Sequence, residues 1–154
     1  MPQFQTSRKI AHKPDDMFAL VANVEAYPQF VPLCQSLRVK TRRTLEDGRE
    51  LIIADMTVGY KAIRETFTSR VTLDRVGRQI LVEYVDGPFS ALQNRWTFAE
   101  AGSSEKSATD VGFFITYEFK SRTFAMLMGS MFDTAFRKFA AAFEARADVV
   151  YGQA

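Results

Sequence analysis

SRTFAMLMGSMFDTAFRKFAAAFEARA, residues 121–147, is the stretch whose reading decides the fold. Phe124, Leu127, Met128, Met131, Phe132, Ala135, Phe136, Phe139 and Phe143 recur there at steps of three, one and four, which puts them on one broad apolar stripe of an α-helix. Arg122, Ser130, Asp133, Arg137, Lys138 and Glu144 take the opposite face, so the helix is not a membrane span. Nothing earlier in the chain repeats this pattern at comparable length. With no second long helix to meet, the stripe must lie across a sheet, leaving between them either a dry core or an oily hollow. Gly129 in mid-helix costs about 1 kcal/mol relative to Ala, and Met126, Met128 and Met131 beside it suit irregular or changeable neighbours.

Working back from the helix, the chain reads mostly as strands. Residues 4–10 form a first strand, and Pro14-Asp15-Asp16 opens a helix with Met17, Phe18, Leu20 and Val21 on its apolar side. Residues 24–34 are broken by Pro28 and Pro32 and make at best a short second helix ending in a turn. Strands are expected over 37–44, 50–58, 63–73, 79–85, 92–98 and 111–119, with Glu46-Asp47-Gly48, Gly59, Asp86-Gly87-Pro88 and residues 101–104 as reversals. The expected architecture is α+β: a curved antiparallel sheet of six to seven strands wrapped around a long C-terminal helix, with one or two short helices after the first strand, in a single domain over 1–154.

Composition narrows the function. Charged residues are 25% and hydrophobic residues 47% of the chain, ordinary for a globular protein, whereas 14 Phe in 154 residues is a large apolar volume for one core. A net charge of +2, spread along the chain, gives no clustered footprint for DNA. The single Cys34 leaves no internal disulfide, and the single His12 leaves no His/Cys metal cluster. His12, before Lys13-Pro14, reads as a surface residue and Cys34 as a small buried hydrophobe. There is no apolar run of signal-peptide or spanning length, so a cytoplasmic protein is expected, peripheral to the inner face of the membrane where it meets one. Neither a nucleophile elbow nor a phosphate-binding glycine loop is present.

VEAYPQFVPLC (24–34), TFTSRV (66–71), DGPF (86–89) with Leu92 and WTF (96–98), then AFEARA (142–147) and Tyr151-Gly152 occur in that order. In this the chain resembles, end to end, the ubiquinone-binding members of the START-like, polyketide-cyclase-type helix-grip superfamily. The resemblance implies a tunnel between sheet and terminal helix and a non-enzymatic role: holding and delivering ubiquinone for respiratory electron transport, with no covalent cofactor. Some bacterial relatives are described instead as toxins that bind the large ribosomal subunit and hinder subunit association, and the same superfamily contains polyketide cyclases and aromatases. Those are the two alternatives.

A prenyl quinone is nearly all hydrocarbon, and its head offers only acceptor oxygens. The expected ligand-binding set is therefore apolar, with few donors: Tyr27, Phe30, Val31, Phe67, Phe113, Phe124, Met128, Met131, Phe132 and Phe136 for the wall, and Ser69, Asn94, Trp96 and Tyr117 as donors on inward faces. Trp96 and Tyr117 serve equally well as plain core with their polar tips satisfied by backbone. The 27–33 segment is either a lid, with Phe30 and Val31 swinging aside and touching a bilayer, or a fixed plug. Glu65 sits on an inward position of its strand and has three readings: paired with an arginine at the sheet edge, protonated, or turned outward by a bulge. For a ribosome-binding surface the candidates are Arg38, Lys40, Arg42 and Arg43 on the second strand, whose other reading is a charged, solvated edge.

Overall fold

The chain enters at one edge of a sheet with β1 (Gln3–Ile10) and then crosses below its concave face through α1 (Pro14–Ala22) and a 3-10 helix (Val24–Gln29). It reaches the opposite edge as β2 (Cys34–Thr44) and walks back antiparallel through β3 (Glu50–Tyr60), β4 (Ile63–Asp74), β5 (Gln79–Asp86), β6 (Phe89–Glu100) and β7 (Thr109–Phe119). The computed structural model describes residues 3–60 and 62–152. Its sheet has seven strands in the order β1-β7-β6-β5-β4-β3-β2, and α2 (Arg122–Tyr151) lies in its concavity. This is the α+β helix-grip arrangement expected from the stripe.

Local sequence explains most boundaries. Pro14 takes the first turn of α1, with Asp15 and Asp16 beside it, and Met17, Phe18, Leu20 and Val21 are buried. Several strands outrun their expected spans, β6 running from Phe89 to Glu100 rather than 92–98 and β7 starting at Thr109 rather than 111. Two further differences have a local cause. β2 starts at Cys34 rather than 37, because register shifts between Cys34 and Ser36 and between Val39 and Thr41 break the alternation that marks a strand. Gly59 is not a reversal: β3 runs on to Tyr60, opposite Ile63. A β-carbon at Gly59 would collide with the Gln35 side-chain amide, so this glycine permits a close crossing under β2 instead.

The helix meets the sheet along Met128, Phe132, Ala135, Phe136, Ala140, Phe143 and Ala147. Leu127, expected on the stripe, is 63% exposed; it lies about 100° round the helix from Met128, outside the line of contact. Phe124, Met131 and Phe139 are half-buried flanks of that line. The Ser121 hydroxyl caps the start of α2 by accepting from the Phe124 N–H at 3.1 Å. Polar ties to the rest of the protein gather at the other end. Arg8 pairs with Glu144 at 2.7 Å, Arg146 donates to the Gln29 side chain at 2.6 Å and Tyr151 donates to the Asp16 carbonyl at 3.0 Å. His12 Nε2 lies 2.8 Å from Asp148 Oδ1. His12 is thus buried, not a surface residue: the β1–α1 turn folds beneath the last turns of α2, and its partner is 136 residues away in sequence. Among the described residues no helix is long and apolar enough to cross a membrane.

A β-carbon at Gly129 would meet nothing within 4 Å. Gly129→Ala is therefore expected to stabilise the protein by about 1 kcal/mol, read as a rise of about 2–4 °C in a reversible thermal melt. A lower melting temperature would mean that position 129 is held in something other than ordinary helix.

Candidate functional site

Between the concave sheet and α2 lies a cavity of about 90 Å³. Every strand but β1 contributes to its wall: Leu37 from β2, Met56 and Val58 from β3, Phe67 and Ser69 from β4, Val82 from β5, Trp96 from β6 and Ile115 from β7. Phe132, Phe136, Phe139 and Phe143 of α2 roof it, and Tyr27, Pro32 and Leu33 close one end. These side chains converge because the inward residues of antiparallel neighbours stand opposite each other, as Met56 does to Phe67 and Ala54 to Ser69. The β4–β5 register shifts between Thr68 and Ser69, where Val85 of β5 is the extra residue.

No Asp, Glu, Lys, Arg or His is among the described lining residues. The polar atoms are few and mostly committed. Trp96 Nε1 donates to Asn94 Oδ1 at 3.0 Å, and Asn94 Nδ2 donates to the Phe114 carbonyl at 2.8 Å. The Tyr27 hydroxyl donates to the Val21 carbonyl, and burial, with a smaller contribution from Cys34, pushes its pKa far up. Ser69 is buried, and its hydroxyl has no hydrogen-bond partner among the described residues. What the cavity offers a guest is hydrocarbon surface, one free hydroxyl and the second Asn94 N–H. It has no group able to move a proton at neutral pH except through a phenol pinned to backbone. Among the described residues no cluster of three or more His, Cys, Asp or Glu is placed to hold a metal ion.

The expected ligand-binding set divides. Tyr27, Phe67, Ser69, Asn94, Trp96, Phe132 and Phe136 line the cavity. Phe113 stands behind the wall against Trp96, with ring centres 4.8 Å apart, and Tyr117 packs on Phe89 and Phe136. Burial raises the Tyr117 pKa, Asp133 of α2 raising it further and Arg137 opposing. Phe124 sits on Phe119 at the start of α2, while Met128 is buried and Met131 half-buried without reaching the lining. These five fail to reach the cavity because a side chain can face inward yet be screened by its neighbours, which periodicity does not reveal. Leu37, Met56, Val58 and Val82 line it and follow from the same alternation. Leu33 could not be found that way: it reaches inward from a backbone with φ of 67°, a conformation that a bulky residue rarely adopts and that no sequence pattern announces.

The Pro-broken segment sits as a plug. Tyr27, Phe30 and Phe143 form an edge-to-face cluster with ring centres 5.0–6.1 Å apart, and the Arg146 guanidinium lies 5.3 Å over Phe30. Val31 is 5% exposed and presents no free face to a bilayer, while Phe30 is half-buried. Both pack behind Tyr27 and Leu33 rather than on the cavity itself, again a matter of screening. Cys34 is buried as expected, and desolvation pushes its thiol up to about 11. Glu65 pairs in register with Val58 near the β3–β4 reversal; it is half-buried, lies outside the cavity lining and forms no ion pair among the described residues.

The family model described as polyketide cyclase / dehydrase and lipid transport matches residues 10–144. Among curated proteins the chain is similar to the ribosome association toxin RatA of Rickettsia prowazekii, at 30% identity over 97% of this chain and 99% of the relative. It is also similar to the mitochondrial coenzyme Q-binding protein coq10 of Schizosaccharomyces pombe, at 33% identity over 80% of this chain and 73% of the relative. Among solved structures, the 18 kDa protein CC1736 of Caulobacter crescentus superimposes with a TM-score of 0.76 at 34% identity, over 99% of this chain and 100% of that one. The Zhui aromatase/cyclase of Streptomyces sp. R1128, at 14% identity and a TM-score of 0.69 over 96% of this chain and 93% of that one, shares the fold. A helix gripped by a seven-stranded sheet, with an uncharged hollow between them and a family match across most of the sequence, gives one conclusion: the chain belongs to the polyketide cyclase/dehydrase and lipid transport family.

Proposed function

We propose that the chain binds a prenyl quinone, ubiquinone in the first instance, and chaperones it between membrane and respiratory enzymes without transforming it. The observation that carries this reading is the uncharged cavity under α2, in which Ser69 is the only hydroxyl left free among the described lining residues. Such a wall matches a guest that is hydrocarbon with acceptor oxygens at one end. The similarity to a coenzyme Q-binding relative supports the same ligand class.

At about 90 Å³ the resting cavity is smaller than the roughly 150 Å³ that admits benzene. Loading therefore requires a wall to move. The front half of α2 is the wall with least holding it. The ion pair and hydrogen bonds described above tie the helix from Glu144 onward, and Arg137 over the Phe4 ring at 4.8 Å is the foremost polar contact with another element among the described residues. Ahead of that point α2 is held by apolar side chains, with Gly129 and three methionines among them. As the helix lifts, its packing against the sheet gives way to packing against the tail, at roughly 25 cal/mol per Å² of apolar surface covered. The cyclase alternative has no ionisable base among the described lining residues to run on.

A second reading is favoured by one separate surface. β2 is an edge strand carrying Arg38, Lys40, Arg42 and Arg43. Lys40 lies 3.9 Å from Asp55 and Arg42 3.2 Å from Glu25, while Arg38 and Arg43 form no ion pair among the described residues. With relatives described as ribosome association toxins, this edge is the candidate for contact with ribosomal RNA.

Organic extraction of the purified protein followed by mass spectrometry is expected to yield a prenyl quinone near one per chain; its absence, together with no uptake from quinone-loaded liposomes, removes the carrier reading. Ala54→Leu fills most of the hollow and is expected to cut quinone uptake about tenfold while the melting temperature holds. Ser69→Ala removes one hydrogen bond to the head and is expected to weaken binding about fivefold, the equivalent of about 1 kcal/mol, without altering affinity for a tail analogue that lacks the ring. For the second reading, wild type but not Arg38→Glu/Arg43→Glu is expected to co-sediment with the large ribosomal subunit, with steep loss as salt rises.

A further inference from the structure

Two large apolar side chains of α2 point into solvent near its start. Met126 is 86% and Leu127 63% exposed, beside a Met128 that is 3% exposed. Lys120 and Arg122 precede them, both exposed and both outside every ion pair among the described residues. The first turn of α2 contains no acid. The nearest acid along the helix, Asp133, is paired with Arg137 at 3.0 Å, and Glu118 faces the convex side of the sheet. The Lys120 N–H donates to the Pro88 carbonyl at 2.9 Å, which holds the β5–β6 turn beside the helix start. That turn brings one acid, Asp86, and next to it Val85, 53% exposed where β5 slips register.

We propose that Met126 and Leu127, framed by Lys120 and Arg122, form the docking point of this protein on an anionic lipid surface. An interface of this kind satisfies both halves of the patch at once: acyl chains take up the two apolar tips and headgroup phosphates meet the two cations. RNA would engage the cations and leave Met126 and Leu127 in water. The patch lies on the half of α2 that is tied to the sheet only by apolar contacts, so inserting its tips pulls on the wall that must lift for a guest to enter. This purpose rests on the carrier reading; the docking itself does not.

The test is flotation with quinone-free vesicles of phosphatidylcholine containing about one-third phosphatidylglycerol. Wild type is expected to float with the vesicles, less so as salt rises. Met126→Asp/Leu127→Asp is expected to lower the bound fraction about tenfold, and Lys120→Glu/Arg122→Glu to remove the advantage of phosphatidylglycerol over pure phosphatidylcholine. All four positions are exposed, so melting temperatures should stay put, and binding of a short-tailed quinone supplied in detergent should be unchanged. Wild type left at the bottom of the gradient, or the Met126/Leu127 variant floating as well as wild type, overturns the proposal. So does a dimer in sedimentation equilibrium that Met126→Asp dissociates while nothing floats, because the patch then joins two copies. Loss of quinone binding from detergent in the Met126/Leu127 variant also overturns it, by assigning those side chains to the cavity. Vesicle binding by a protein that never takes up quinone supports the docking point and removes the carrier reading.

Discussion

Everything in this structure depends on the apolar contact between α2 and the concave face of the sheet, made largely by aromatic rings. Phe132 meets Phe89 at 5.8 Å between ring centres, Phe136 meets Tyr117 at 5.1 Å and Phe143 meets Trp96 at 4.9 Å. Edge-to-face rings of this kind bury much surface and favour particular ring orientations. Polar ties join them in the last turns of the helix, where His12, Arg8, Gln29 and Asp16 meet Asp148, Glu144, Arg146 and Tyr151. The helix is thus anchored at its back and adhesive along its front.

The cavity follows from the same geometry. Aromatic rings make up much of its wall and roof. The hollow under α2 is uncharged among its described lining residues. The one titratable side chain among the described lining residues is Tyr27, whose hydroxyl donates to the Val21 carbonyl. The basic residues of β2 lie on an edge strand whose Leu37 also lines the cavity.

How much was legible beforehand varies with the range of the interaction. Strand and helix order, the Pro-led start of α1 and the long amphipathic helix are local patterns and could be read directly. Cys34 as a buried thiol also followed from its company. His12 could not: its burial depends on Asp148 and on the Thr109 hydroxyl, which donates to the His12 carbonyl at 2.7 Å, partners about a hundred residues off. Gly59 looks like a reversal from its neighbours and proves to be a clearance for Gln35 of an adjacent strand. Of the expected wall, Phe113 and Tyr117 face the correct side of β7 yet are screened by Trp96 and Phe136.

Read alone, the sequence determined that a single Phe- and Met-rich helix had to be gripped by an antiparallel sheet, because alternation and the three-to-four spacing are properties of consecutive residues and burying such a stripe leaves few arrangements. Tertiary structure decided the rest. It determined which inward side chains reach the hollow, that Tyr27, Pro32 and Leu33 close one end, that Ser69 presents a free hydroxyl to the space while Trp96 spends its N–H on Asn94, and that Met126 and Leu127 are left outside. Those outcomes turn on where the helix axis crosses the sheet and on the positive φ at Leu33, which are set by the packing of residues far apart in the chain rather than by any stretch of it.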